Sequence, residues 1–309
     1  MKKDRRNLIV VCGPTASGKT RLAVAAAMHI GGEIISADSR QVYRGMDIGT
    51  GKDLVEYTTP SGTVPYHLID VADPEDVYTL YHFQRDCYRC IHEIGVRKKT
   101  PFLAGGSGLY IEAVLKHYRI PNVPEDPLLR KLLMKKTREA LLHQLKSLDE
   151  ALFTTTDKTS KKRLARSVEV ALYAKDHTVQ WGVPHPPMLS PLILGVTWPR
   201  KVLLERIDKR LHERLEAGMV EEVESLLQSG VTAERLELMG MEYKHIVRYL
   251  QGTVAYSTMV TGLCHDIHRL AKRQTTYFRG FERRGLEVTW IENPDAEKVI
   301  EILDRYQFS

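Results

Sequence analysis

Apolar residues along this chain come first in short unbroken runs and later at helical spacing. Leu8 to Cys12 is one such run, too short for a core helix and closed by Gly13-Pro14, and it predicts a buried strand. An alanine-rich stretch from Arg21 to Ile30 follows with helical character. Glu33 to Ala37 and Pro101 to Ala104 repeat the strand pattern, the first ending at Asp38 and the second running into Gly105-Gly106-Ser107-Gly108, while Tyr81 to Ile94 reads as helix. Strands alternating with helices predict a parallel α/β sheet, and such sheets bind ligands beyond the carboxyl ends of their strands. The loops at Gly13, Asp38 and Gly105 are therefore expected to converge on one cleft.

From about His117 the pattern changes. Prolines at 121, 124 and 127 interrupt the chain, and Leu128 to Ala151 then shows helical spacing rich in lysine and leucine. A second cluster, Pro184, Pro186, Pro187 and Pro191, precedes the apolar Leu192 to Val196, which predicts a strand returning to the sheet. Lys201 to Leu227 and Tyr256 to Phe281 predict long amphipathic helices, the second carrying Arg269, Lys272, Arg273 and Arg279. The expected organisation is an α/β core over residues 1–116, an inserted helical lobe over 117–190, and the rest of the core with basic C-terminal helices over 191–309. There is no internal repeat or low-complexity tract.

The chain has 309 residues, 43% of them hydrophobic and 27% charged, ordinary values for a soluble globular protein of two lobes. No apolar run approaches the roughly 20 residues a membrane span needs. Met1 to Asn7 resembles the charged start of a leader, but the apolar run behind it is short and enters a Gly-Pro turn. A formal charge of +6 favours a polyanionic partner such as nucleic acid. Cys12, Cys87, Cys90 and Cys264 are too few for a disulfide scaffold, and with no secretory signal a cytoplasmic location is expected. Cys87 and Cys90 have C-x-x-C spacing without a second ligand pair and read as ordinary helical thiols.

Gly13-Pro14-Thr15-Ala16-Ser17-Gly18-Lys19-Thr20 fits the phosphate-loop pattern G-x-x-x-x-G-K-S/T between a predicted strand and a predicted helix. The glycines let backbone N–H groups face a phosphate, the helix adds its positive end, Lys19 supplies a point charge, and Thr20 is the expected Mg²⁺ contact. The loop by itself leaves nucleotide hydrolysis, phosphate transfer from ATP and diphosphate release open. Asp38, at a strand's carboxyl end, fits a general base, a Mg²⁺ partner or an Asx-turn residue equally. Gly105-Gly106-Ser107-Gly108-Leu109-Tyr110 alone reads as a plain turn.

Together the phosphate loop, the stretch Asp38-Ser39-Arg40-Gln41-Val42-Tyr43-Arg44-Gly45-Met46-Asp47-Ile48-Gly49-Thr50 and the segment from Gly105 to Tyr110 resemble the tRNA dimethylallyltransferase family in order and spacing. Further similarity lies at Tyr66 to Asp70, Phe83 to Asp86, Arg166 to Val170 and Leu270 to Arg279, so the resemblance spans nearly the whole chain. It implies a P-loop NTPase-like core and transfer of a dimethylallyl group from dimethylallyl diphosphate to N6 of the adenosine immediately 3′ of the anticodon. It also implies that Gly13 to Thr20 holds the diphosphate with Mg²⁺, that Arg210 clamps it, that Asp38 is the base, and that Ser107 donates a positioning hydrogen bond. By the same resemblance the insert clasps the anticodon stem-loop, with RNA contacts expected from Asp38, Ser39, Arg40, Gln41, Ser107, Arg130, Lys162, Arg163, Leu164, Ala165 and Arg166.

Two positions depart from the family pattern. Ser107 replaces a threonine and keeps the hydroxyl. Lys162 replaces a glutamine, after a short insertion following Asp157, and keeps a donor while losing an acceptor. The rival readings are an adenylate isopentenyltransferase acting on free nucleotides, a small-molecule kinase with Asp70 as a Mg²⁺-holding carboxylate, and a non-catalytic RNA-binding module. ATP is expected to compete weakly at the phosphate loop, so nucleotide binding by itself does not separate these readings, and a monomer is expected because one cleft can supply every role.

Overall fold

The computed structural model describes residues 4–308; Met1–Lys3, the start of the leader-like stretch, and Ser309 lie outside the described residues. Leu8–Cys12 (β1) is buried along its whole length, as an interior strand of a parallel sheet covered on both faces must be. It leads through the phosphate loop into Lys19–Ile30 (α1). There follow Glu33–Ser36 (β2), Tyr66–His67 (β3), Leu80–Val96 (α2), Pro101–Gly105 (β4), Gly108–Leu115 (α3) and, after the insert, Pro191–Thr197 (β5). With Thr289–Glu292 (β6) these strands make one parallel six-stranded sheet in the order β3-β2-β4-β1-β5-β6.

Cys12 pairs with Gly105 on one side and Gly195 on the other, so β1 is the central strand and its carboxyl end opens beside that of β4. Leu22, Ala23, Val24, Ala26 and Ala27 of α1 pack on Ile9, Val11, Ile34 and Phe102 of the sheet, the face for which the alanine-rich sequence leaves room. The two edge strands are not marked by the apolar pattern. Tyr66–His67 is only two residues long and Thr289 is exposed, as suits edges that touch the core on one side only.

The chain divides into two compact units, one holding Met1–Lys116 and Pro186–Ser309 and the other His117–His185. The second unit contains Pro127–Leu133 (α4), Arg138–Leu148 (α5), Glu150–Thr155 (α6) and Lys161–Tyr173 (α7). Asp126, Thr137, Asp149 and Ser160 each cap one of these helices by accepting a backbone N–H, and the caps break the single helical stretch read from Leu128 to Ala151 into three. Leu133, Leu141, Leu145, Leu164 and Val168 form its core. The unit closes at His185, ahead of residue 190. Past it the chain is already tied to the first unit, because the Asn7 side chain donates to Met188 O (2.8 Å) and accepts from the Ser190 N–H (2.7 Å).

In the first unit the long helix expected from Lys201 to Leu227 is two helices, Arg200–Glu216 (α8) and Met219–Gln228 (α9), separated by Gly218 at φ +98°. Ala233–Met239 (α10), Met241–Leu250 (α11) and the 24-residue Tyr256–Arg279 (α12) follow. Ile207 and Leu211 of α8 share one core with Leu263 and Ile267 of α12. Among the described residues no helix is long and apolar enough to cross a membrane.

The sheet allows no side chain at residue 105. A Cβ there would lie 2.2 Å from Ala37 O, with backbone on both sides of the clash. Gly105→Ala is therefore expected to spread the carboxyl ends of β2 and β4 and to cost about 1–3 kcal/mol, the usual range for overpacking. A urea melt checks it: the midpoint falls with the slope unchanged.

Candidate active site at the phosphate loop

Behind β1 the chain turns through Ala16 (φ 58°) and Gly18 (φ 83°) into α1, whose N-terminus carries no side-chain cap. The helix thus presents free N–H groups and its positive end to the loop. Neighbouring elements pin the loop's backbone. Ala16 O accepts from Arg206 Nε and Ser17 O from Trp198 Nε1, both at 2.9 Å, and the Arg206 guanidinium lies over the Trp198 ring at 4.7 Å. The Thr15 N–H donates to Gln274 Oε1 (2.9 Å), and Gln274 Nε2 donates to Gly106 O (3.0 Å), which ties the loop after β1 to the loop after β4. Ser17 Oγ is buried with no hydrogen-bond partner among the described residues. Thr20 is the second residue of α1.

Lys19, Arg210 and Arg214 gather at this loop beside Arg206 and act on one another. Burial, and then the neighbouring Arg210, bring the Lys19 ammonium down to about 8, while the Asp38 carboxylate works in the opposite direction. Burial and Arg210 likewise bring the Arg214 guanidinium down to about 10. Arg210 pairs with Asp53 and reaches Thr15 Oγ1 at 3.5 Å. Burial alone would raise the Asp53 carboxyl, but Arg210 and Arg214 hold it below its ordinary value. Arg214 was missed by the sequence reading. It stands one helical turn beyond Arg210 on α8, which alone does not mark it, and only in the fold does Gly51, where a Cβ would meet Arg214 Nη2 at 1.4 Å, leave it space.

Asp38 and Ser107 meet where β2 and β4 end. Asp38 Oδ1 accepts from the Arg40 N–H (2.9 Å), an Asx turn that fixes the carboxyl and uses one of its oxygens. Ser107 Oγ accepts from the Ser39 N–H (3.1 Å), and the Ser107 N–H donates to Ala37 O (3.1 Å). Gln41 accepts from Ser36 Oγ (2.8 Å) and donates to Gly51 O (3.0 Å), so it holds the strand end against the loop that carries Asp53. Ser39 and Arg40 are half-buried beside it.

The loop from Asp47 to Lys52 is built on two internal charges. The Glu222 carboxylate of α9 accepts the N–H groups of Asp47 (2.8 Å), Ile48 (2.6 Å) and Gly49 (3.0 Å), and the Tyr243 hydroxyl as well (2.9 Å). Lys52, 2% exposed, donates to Tyr43 O (2.7 Å), Asp47 Oδ1 (2.5 Å) and Asp70. Asp70 is thereby committed to a lysine, which removes the carboxylate that the kinase reading required.

Within the second unit the expected RNA contacts separate into three groups. The side chains of Leu164 and Ala165 lie in the core, 0% exposed, and offer RNA nothing. Arg130 and Arg166 both hold the buried Glu169, each at 2.7 Å, and Arg166 also donates to Val123 O (2.6 Å). Lys162 and Arg163 are exposed, Arg163 pairing with Asp157 at 2.5 Å.

The IPP transferase family model matches residues 41–281, and the Isopentenyl transferase model matches residues 6–60. The chain is 46% identical over 298 residues to tRNA dimethylallyltransferase 1 of Syntrophus aciditrophicus, covering 96% of this chain and 97% of that one. It is 47% identical over 285 residues to tRNA dimethylallyltransferase 1 of Porphyromonas gingivalis, covering 92% and 93%. Among solved structures it is similar to the tRNA isopentenylpyrophosphate transferase of Bacillus halodurans, with TM-score 0.67, 31% identity, and 97% and 94% of the two chains covered. A eukaryotic dimethylallyltransferase acting on tRNA, 20% identical with TM-score 0.72, shares the fold over 98% of this chain and 77% of that one. Matched by the family over residues 41–281 and 46% identical to a relative along nearly the full length of both, the chain belongs to the IPP transferase family.

Proposed function

We propose that the protein transfers a dimethylallyl group from dimethylallyl diphosphate to N6 of the adenosine immediately 3′ of the anticodon in tRNA and releases diphosphate. The observation that carries this reading is a surplus of positive charge at the phosphate loop with a carboxylate, Asp38, fixed at the neighbouring strand end. The names of the curated relatives support tRNA as the acceptor. A monomer acting in the cytoplasm, on tRNA there, is the form this reading takes.

Breaking the C–O bond to diphosphate leaves cationic character on the allylic carbon and new negative charge on the leaving oxygen. Lys19, Arg210, Arg214 and the phosphate-loop amides are placed to stabilise that charge, which is where such sites act most strongly. The exocyclic amine is a weak nucleophile because its lone pair is delocalised, so its proton passes to Asp38 as the new N–C bond forms. Ser107 steadies the Asp38 segment through the Ser39 N–H. The residues also fit Mg²⁺: the Thr20 hydroxyl and diphosphate oxygens are the hard donors that ion prefers, and the ion, when bound, would offset leaving-group charge. The adenine must be flipped from its stack to reach Asp38. Lys162 and Arg163 are the exposed cations offered to the RNA backbone.

Incubation with labelled dimethylallyl diphosphate and Mg²⁺, offering unmodified tRNA, an anticodon stem-loop and AMP in parallel, tests the reading. Label in either RNA supports it, label in AMP alone replaces it with the adenylate enzyme, and no label anywhere removes it. In the same assay Asp38→Asn is expected to lower turnover by about 10² or more with diphosphate binding kept, the usual scale for loss of a general base.

The Lys19 ammonium gives a pH dependence. With its value drawn down to about 8, it is charged below that pH and neutral above, so its attraction for an anion is present at low pH and lost as pH rises. The ratio of wild-type to Lys19→Gln affinity for inorganic diphosphate cancels the ligand's own ionisation. Calorimetry is expected to show that ratio falling from roughly 10–100-fold, the worth of a charged hydrogen bond, toward unity above pH 8. Neutralising Lys162 and Arg163 together is expected to weaken tRNA binding and to lower the slope of log affinity against log salt by up to about 2, measured by filter binding.

A further inference from the structure

Away from the phosphate loop, three side chains of different chemistry converge on one point between α8 and α12. Cys264 and His268 stand one turn apart on α12 and so share a face, and Asp208 approaches them from α8. Cys264 Sγ lies 3.1 Å from Asp208 Oδ1 and 3.7 Å from His268 Nε2, and His268 Nε2 lies 2.6 Å from Asp208 Oδ1. We propose that Asp208, Cys264 and His268 are a binding site for a borderline-soft divalent metal ion, zinc by its donor set, that links α8 to α12.

The geometry separates this from a nucleophile relay. A cysteine-histidine-aspartate relay uses both ring nitrogens, one facing the thiol and the other the carboxylate. Here thiol and carboxylate both face Nε2, so one nitrogen would have to serve two partners at once, whereas a cation at the centre satisfies all three donors. Tetrahedral zinc with its usual bond lengths separates ligand atoms by roughly 3.3–3.8 Å. The sulfur–nitrogen edge already has that length, and the half-exposed Asp208 carboxylate has only to swing outward by less than about 1 Å. Sulfur, imidazole and carboxylate together favour zinc over Mg²⁺ or Ca²⁺, which take oxygen.

Binding releases the Cys264 thiol proton to solvent, uses the neutral imidazole, and leaves a fourth position for water. His268 also borders an open cleft of about 530 Å³ lined with His245, His265 and Asp266. The consequence reaches the phosphate loop through the helices themselves. Arg206 and Arg210 project from α8 and Gln274 from α12, so an ion joining the two helices fixes the spacing of the groups that hold Thr15 and Ala16.

The test is titration of the full-length, reduced, chelator-stripped protein with Co²⁺ followed by absorption, then displacement by Zn²⁺. Expected are one Co²⁺ per chain, a thiolate-to-cobalt charge-transfer band, and d–d bands with the intensity of four-coordination. Cys264→Ser should abolish the charge-transfer band, and His268→Ala should weaken affinity by more than about 100-fold, beyond the loss typical of outer-shell changes. The Cys87→Ser/Cys90→Ser double variant should keep both signals. Zinc should raise the melting temperature of the wild type but not of Cys264→Ser, whose melting in chelator should match the wild type's. If Cys264→Ser does not fold, Asp208→Asn carries the affinity measurement. A missing charge-transfer band at saturating Co²⁺, or one that survives Cys264→Ser, overturns the proposal.

Discussion

Lys19, Arg210 and Arg214 are held against one another with Asp53 as the carboxylate between them, and much of the surrounding architecture follows from keeping that arrangement in place. Like charges in a partly desolvated site repel strongly, and a fold tolerates them only where packing leaves them no alternative. The constraint comes from several directions. Arg206 and Trp198 hold the loop's carbonyls, Gln274 holds the Thr15 amide, and Gly51 lacks the side chain that would displace Arg214. In the proposed reaction an arriving diphosphate relieves the repulsion, so that binding and relief of strain are one event. On that proposal the same surplus then serves the leaving group as its charge grows, as suits a site for departure of diphosphate rather than mere recognition.

Most of this frame was legible in the sequence wherever burial on both faces forces an unbroken apolar run. Leu8 to Cys12, its glycine-bounded loop and the alanine-rich helix behind it could hardly be read otherwise, and the ends of the two neighbouring strands follow by the same logic. What could not be read rests on contacts between distant residues. The break at Gly218 is invisible to helical periodicity because apolar spacing continues across it, and only the glycine itself, which favours the left-handed turn, marks it. The edge strands are too short and too exposed to stand out. Arg214 looks like any solvated helix residue until Gly51 is brought beside it by the fold. Asp70 is a carboxylate after a strand in sequence, and only the arrival of Lys52 beneath it shows that it is already taken.

Basicity itself has to be divided by use. In the second unit, Arg130 and Arg166 close on Glu169, and removing either would leave a buried carboxylate short of compensation, a costly state. Their first duty is to the fold of that unit. On the exposed side of the same helix, Lys162 carries charge that none of these ion pairs uses, while Arg163 is exposed but pairs with Asp157. A cationic segment of five residues thus contains a core-facing pair, an internal ion-pair partner and two outward charges, and the net charge of the chain overstates what RNA can feel.

The Glu222 carboxylate, seated on the amides of Asp47, Ile48 and Gly49, has a further meaning. Successive backbone N–H groups turned to one side make an anion cradle wherever they occur, and this chain makes two of them within its first fifty residues. By supplying an anion of its own to the second, the protein turns a rival docking point into a structural joint. A phosphate entering from solution finds that second cradle already filled, a selectivity that comes from self-occupation rather than from exclusion.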